Sequence, residues 1–355
     1  MQINTFKTLL LSFFLTLCFF GYASEEENGK KENFDTKELI FHHIKDSHGF
    51  HVAGDISVSL PVILWTDNGL VTFMSSEFHH DIEGKTIVEK KGLKFVNLHE
   101  KIYQLNADAS TVSLDAEHHP TNAVRPLDIS ITKNVFSMFL SMAVILLIFL
   151  TAARSYKKSS QNMPSGIGRF MEPIILFIRD EVAIPNIGEK KYRKYMPYLL
   201  TLFFFIWLNN IFGLIPFFPF SSNLSGNIAF TLTLAAITFI ITLFSSKKYY
   251  WKHMLWMPGL PVPMKLFLAP IEFMGMFIKP IALTIRLFAN ITAGHIIVLS
   301  LISLTFIFKN YIVGAGSVLF VVFISVIEVL VVAIQAYIFT MLSALYFGQA
   351  LEDEH

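Results

Sequence analysis

The chain has 355 residues, of which 53% are hydrophobic and 15% charged, and its formal net charge is +1. Soluble domains average about 25% charged residues, so this composition excludes an ordinary soluble enzyme and points to an integral membrane protein. The single cysteine, Cys18, excludes an intrachain disulfide framework and a cysteine-based metal centre, and no basic tract interleaved with aromatics offers a nucleic-acid surface.

Residues 1–23 read as a signal peptide: Lys7 is the charged n-region, Thr8 to Phe20 the apolar stretch, and Gly21-Tyr22-Ala23 a small-residue cleavage site. The apolar stretch is too short to span a bilayer, which needs about 20 residues, so cleavage is expected over retention as an anchor. Residues 24–133 form a polar exported, periplasmic domain. It opens with an acidic-basic run, Ser24 to Lys37, and continues with strand-like runs at His51–Val58, Leu60–Trp65, Leu70–Met74 and Thr86–Val88. Asp67-Asn68-Gly69 between two of them signals a hairpin, so the domain is expected to be small and mostly β. It holds nine of the 12 histidines: His42, His43, His48, His51, His79, His80, His99, His118 and His119. The pairs could offer imidazoles to a metal. No spacing matches a known metal site, so a solvated histidine-rich surface is the preferred reading and no metal is assigned.

The membrane domain is expected over 134–355, with spans near 135–153, 198–215, 228–244, 264–308 and 318–347. Arg154, Lys157 and Lys158 follow the first span, and by the positive-inside rule that end is cytoplasmic. Arg169 to Ile184, ended by Pro185, reads as an amphipathic helix on the membrane surface or as a docking face for a partner subunit. The third span carries Thr231, Thr233, Thr238 and Thr242, whose hydroxyls are expected to bond back to their own helix rather than line a pore. Met264 to Phe308 has no clear break. At 1.5 Å per residue it would be about 67 Å long against a hydrocarbon thickness of about 30 Å, so it must tilt, kink or lie partly in plane. A turn around 309–316 leads to the last apolar run and an acidic tail, with the C-terminus on the cytoplasmic side.

This terminal hairpin concentrates the intramembrane polar residues. Its first helix carries Glu272, Lys279, Arg286, Asn290 and His295; its second carries Glu328 and Gln335. A central Arg in a bilayer helix costs about 2.5–17 kcal/mol depending on method, so Arg286 must face a polar cavity or a partner charge. Glu272, Lys279 and Arg286 recur every seven residues and share a face, with Asn290 one turn beyond. With the turn centred near residue 311, Arg286 falls opposite Gln335. His295 falls opposite Glu328, about 10–13 Å nearer the outer surface. Glu272 falls about 21 Å toward the cytoplasm from Arg286. A lone Gln or Asn is usually interhelical glue and a lone Lys usually snorkels. A central Arg with carboxyl and imidazole groups at other depths marks an ion or proton pathway. Arg stays charged, so it serves as a barrier or a carboxylate partner, while His and a buried carboxyl can relay protons.

The residues Lys279-Pro280, Ile285-Arg286-Leu-Phe-Ala-Asn290-Ile-Thr-Ala-Gly-His295, Glu328 and Ile334-Gln335-Ala-Tyr-Ile-Phe339 resemble the subunit a family of F-type ATP synthases. Tyr192-Arg-Lys-Tyr-Met-Pro197 and Trp207-Leu-Asn-Asn-Ile-Phe-Gly-Leu-Ile-Pro216 are similar to its second-span signature, and the likeness covers about 135–355. The resemblance implies an all-α membrane protein of five spans with a long, tilted C-terminal hairpin, here joined to the small β domain. It implies a non-catalytic, proton-translocating stator subunit in a bacterial inner membrane. Its partners would be a c-ring, the b-subunit stalk, other ATP synthase subunits and membrane lipid, with no nucleic acid and no cofactor. Arg286 would face the ring carboxylate; Asn290, His295, Glu328 and Gln335 would line the outer half-channel, and Glu272 the cytoplasmic one. The family usually has Gly where this chain has Ala289, and its N-terminus is usually far shorter than 24–133. A competing class, a secondary transporter with an external sensing domain, would show inverted repeats with paired broken helices, and none is found.

Overall fold

The computed structural model describes residues 45–53, 56–106, 109, 111–115, 120–158, 166–215, 218–256, 261–308 and 311–352. The expected signal peptide, the run to Lys37, His42, His43, His118, His119 and the tail from Asp353 lie outside the described residues.

The first described region is β. Strands β1 (Gly49–Ala53) and β2 (Ile56–Ser59) form an antiparallel pair, dividing what the sequence presents as one run. Strand β3 (Pro61–Thr66) sits between β4 (Gly69–Met74) and β9 (Leu127–Asp128). The β3–β4 hairpin turns at Asp67-Asn68, with Gly69 at φ 89°. A second sheet runs β5 (Val88–Lys90), β6 (Leu93–Leu98), β7 (Lys101–Leu105), β8 (Ala123–Val124). Sequence reading missed β6 and β7. Their turn is His99-Glu100, both at positive φ (50° and 66°), the backbone of a tight hairpin without the Asn-Gly that usually announces it. Alternation turns Val62, Leu64, Val71 and Phe73 inward, where they pack with Phe78, Val88, Phe95 and Ile102.

Beyond β9 the chain stays extended beside β3, with Ile129 and Ile131 donating to the carbonyls of Ile63 (2.9 Å) and Pro61 (3.1 Å). It then enters helix α1 (Lys133–Lys158). The N-cap of α1 comes from far away in sequence: Asp46 Oδ1 accepts from the Asn134 amide at 3.0 Å, and Ser47 O accepts from the Lys133 amide at 2.8 Å. Phe50 packs edge-on against Phe136 (5.4 Å) and Phe218 (5.3 Å). The β domain is therefore fastened to the end of the helical bundle by caps and rings together.

Helix α2 (Ile167–Phe177) continues through a π-helical turn (Ile178–Ala183) into the short α3 (Ile184–Ile187). Pro185 does not end this segment. It sits in the first turn of α3, where its missing N–H costs no bond, and the stop comes at Gly188 (φ 93°). The apolar side, Met171, Ile178, Val182, Ala183 and Ile187, joins the main helical core. The spanning helices are α1, α4 (Tyr192–Leu214), α5 (Ile228–Ser245), α7 (Val262–Phe308) and α8 (Tyr311–Ala350); a short helix α6 (Lys248–Leu255) precedes α7. These five, among the described residues, are long and apolar enough to cross a membrane. Helix α7 runs unbroken through Pro270 and Pro280. Its 47 residues would extend about 70 Å if straight, more than twice a bilayer's apolar thickness. Gly314 and Gly316 belong to α8 rather than to the turn. A Cβ on Gly314 would sit 3.1 Å from Thr305 Cγ2, so the small residue serves close packing where the hairpin begins.

Candidate ion pathway

Leu283, Leu287 and Ile291 anchor one side of α7 in the core. That orientation turns Ala282, Ile285, Arg286, Ala289 and Ala293 outward, where all are exposed. Residues 282, 286, 289 and 293 follow a 4-3-4 spacing and form one stripe. The guanidinium therefore stands on a strip of alanines flanked by isoleucine. Among the described residues it has no carboxylate within ion-pairing distance. An unpaired cation on a lipid-depth surface is stable only where a partner brings the counter-charge.

One turn toward the β-domain end, Asn290 Nδ2 donates to Gln335 Oε1 at 3.0 Å, and Gln335 is only 2% exposed. This corrects the expected level: Gln335 pairs with Asn290, not with Arg286. The cause is a drifting register. Between Thr305/Gly314 and Lys279/Gln349 contacts, α7 passes from residue 305 to 279 while α8 passes from 314 to 349. A fixed residue sum holds only for straight helices lying side by side, and here α8 uses more chain. Farther toward the β-domain end, the Glu328 carboxylate lies against Gly294, so closely that a Cβ there would overlap Oε1. Glu328 is 7% exposed, and His295 is the next residue along α7. The carboxyl and imidazole thus reach the same level.

Buried polar atoms without a hydrogen-bonding partner, among the described residues of the helical part, are distributed unevenly. They are Ser137 Oγ on α1, the Asn209 carbonyl and Asn210 amide on α4, Asn223 and Ser225 in the α4–α5 loop, Thr292 Oγ1 on α7 and Glu328 Oε1 on α8. All lie on the β-domain side of Arg286. Each unsatisfied group in hydrocarbon costs several kcal/mol, so such a cluster is tolerable only along a hydrated path. Sequence reading placed Asn209-Asn210 within a span but did not connect it to the site. Ser137, Ser225 and Thr292 were missed, because single hydroxyls in apolar helices carry no distinguishing pattern.

The opposite side of Arg286 has a different character. A cleft between α5, α6, α7 and α8 is lined by Thr238, Thr242, Tyr250, Lys279, Tyr346 and Gln349. Lys279 Nζ donates to Gln349 Oε1 at 2.9 Å and stands 5.4 Å from the Tyr346 ring centre. Tyr346 is within electrostatic range of Arg286, and Tyr250 within range of Glu272. Burial raises the Tyr250 phenol above its ordinary value, and the Glu272 carboxylate adds to the shift. Glu272 itself is exposed. The α5 threonines bond back to their own helix as expected, at 2.7–3.1 Å. Thr238 also meets the Tyr198 hydroxyl at 2.7 Å, and Thr238 and Thr242 line the cleft as well. Among the described residues no group of three or more His, Cys, Asp or Glu is placed to hold a metal ion.

The helical region matches a family profile described as ATP synthase A chain, over residues 135–348. The chain belongs to the ATP synthase A chain family. It is 44% identical over 243 residues to ATP synthase subunit a of Chloroherpeton thalassium, a match covering 67% of this chain and 71% of that protein. ATP synthase subunit a 2 of Chlorobaculum tepidum is 46% identical over 260 residues, covering 70% of this chain and 72% of its own. ATP synthase subunit a of an Anaeromyxobacter species is 38% identical over 262 residues, covering 68% and 62%. A second profile, described as a domain of unknown function, matches residues 39–129. The A chain match thus takes in the helices, and the β domain is a separate unit.

Proposed function

We propose that Arg286 separates two proton half-channels and meets the carboxylate of a rotating c-ring. As a member of its family the chain is the proton-translocating stator subunit of an F-type ATP synthase, a multi-pass membrane component rather than a catalytic one. The observation that carries the reading is the placement of Arg286. It is exposed on an alanine strip, has no carboxylate of its own, and lies between a polar network on one side and a separate polar cleft on the other.

The outer half-channel is assigned to His295, Glu328, Asn290 and Gln335, with Thr292 and Asn210 beside them. Glu272 belongs to the cytoplasmic half-channel, which opens through the cleft by Tyr250, Lys279 and Tyr346. The assignment of sides follows charge. Arg154, Lys157, Lys190, Lys191, Arg193, Lys194, Lys247, Lys248 and Lys252 all gather at the end away from the β domain, while Phe217–Asn227 has no Lys or Arg. The β domain then lies in the periplasm of a bacterial cell, and the b-subunit stalk docks elsewhere on the lipid-facing surface.

The mechanism follows from which groups can change charge. A proton entering from outside passes the imidazole and carboxyl level and reaches the ring carboxylate beside Asn290 and Gln335. Arg286 cannot release a proton. It favours the ionised carboxylate as that group passes, and it repels a proton that would cross directly from one path to the other. Net transfer therefore requires the ring to turn. Arg286→Ala in the assembled enzyme should abolish ATP-driven proton pumping while the catalytic head still hydrolyses ATP. Coupled pumping at the parental rate in that variant would overturn the assignment.

A further inference from the structure

We propose that the β domain is part of the proton path, with Lys133, held between Asp46 and Glu100, forming the charged mouth of the outer half-channel. The inference rests on the half-channel reading above. Lys133 opens α1, and its position is set by the β domain: its amide donates to Ser47 O at 2.8 Å, and Asp46 caps the same turn. Its ammonium interacts electrostatically with Asp46 and with Glu100 of the β6–β7 turn. On the membrane side it interacts with His295 of α7. Ser137, one turn deeper on the same face of α1, is fully buried and has no partner. Asn134 Oδ1 accepts from Ser222 Oγ at 2.6 Å, which ties this turn to the loop before α5. Four elements thus meet here: the β1 edge, the β6–β7 turn, the start of α1 and the α4–α5 loop. The orphaned polar atoms begin directly beneath them.

The chemistry fits a selective entrance. Two carboxylates raise the local proton concentration. The fixed ammonium repels Na⁺ and K⁺, as positive groups do in pores that admit water but exclude cations. A proton needs no vacant cation site, because it moves by exchange along hydrogen bonds and can pass the ammonium to His295.

The test uses the whole enzyme. Cys18 is the chain's only cysteine, so Lys133→Cys is made in a Cys18→Ser background, with the Lys133 parent treated identically as control. The complex is labelled with an aminoethyl or a sulfonatoethyl methanethiosulfonate, labelling is verified by mass, and passive proton conductance is measured in vesicles stripped of the catalytic head. The aminoethyl adduct, which restores a cation on a chain of similar length, should conduct like the parent. The sulfonatoethyl adduct should differ from it by about five-fold or more, and should admit Na⁺. Equal conductance with both adducts, whether high or low, would show a role in packing only and overturn the proposal. Arg286→Ala separates the two claims. Lost coupling there, with charge-independent conductance at 133, removes the mouth alone. Retained coupling removes the half-channel reading beneath it.

Discussion

The β domain and the helical bundle bury opposite chemistry. In the β domain, Val62, Leu64, Phe95 and Ile102 are at most 1% exposed while charged side chains such as Lys85 and Glu83 are largely in solvent. In the bundle, Leu147 (63% exposed), Leu319 (71%) and Val326 (67%) face outward, and Ser137, Asn210, Gln335 and Glu328 are inside. Water drives the first arrangement by expelling apolar surface. In lipid that force vanishes between helices, and polar groups gather inside because hydrocarbon cannot satisfy them. Buried polar residues are thus exceptions to be explained in the first region and the working parts of the second.

The sharpest way to break this contrast is Arg286→Ala, which removes the one outward-facing charge at the centre of the bundle; complete loss of proton pumping with head hydrolysis intact is expected. Next comes Gly294→Ala. Its methyl group would collide with the Glu328 carboxylate, forcing that group from its level, and proton conduction measured in stripped vesicles should fall by about ten-fold, roughly 1.4 kcal/mol in the barrier. Asn290→Leu leaves the Gln335 carbonyl buried without a donor, a cost of about 1 kcal/mol by analogy with interhelical bonds in lipid. A several-fold drop in conduction with normal assembly on native gels is expected.

The smallest effect belongs to the β domain. Burial alone would raise Asp128, but the hydrogen bond from His48 and those from the Ser130 side chain and amide outweigh it and hold the carboxyl at about 2. A carboxyl lowered in the folded state stabilises it above the ordinary carboxylate pKa, and the contribution is lost as pH falls from about 4 toward 2. Asp128→Asn should cost about 2 kcal/mol at neutral pH, read as faster hydrogen exchange in β3 and β9 of the intact chain. Ion conduction should be nearly unchanged.

Much of this was legible in the sequence because lipid imposes simple rules. The five spans appear within a few residues of their expected limits, except where α4 and α8 begin one to two turns early. Arg286 announced itself by its cost alone. What the numbering could not supply was the path of each helix: the constant-sum register set Gln335 beside Arg286, whereas unequal chain lengths along the hairpin bring it to Asn290. The in-plane segment was readable from its apolar side, but its passage through Pro185 depends on a π turn that no pattern encodes. The β6–β7 hairpin escaped because His99 and Glu100 occupy backbone space usually left to Asn and Gly.

The far end of α8 holds one more lesson. The Ala350 carbonyl accepts from the Lys247 amide at 3.0 Å, and the Leu351 carbonyl accepts from Lys191 Nζ at 2.8 Å. These bonds moor the last turn of α8 to the segment after α5 and to the start of α4. A long helix gripped only at its hairpin turn would behave as a cantilever, deflecting most at its free tip under a sideways load. Moored at 350–351, it behaves as a beam fixed at both ends, whose stiffness at mid-length is many times greater. A partner sliding past Arg286 would then do its work on the ring rather than on the bending of its own bearing.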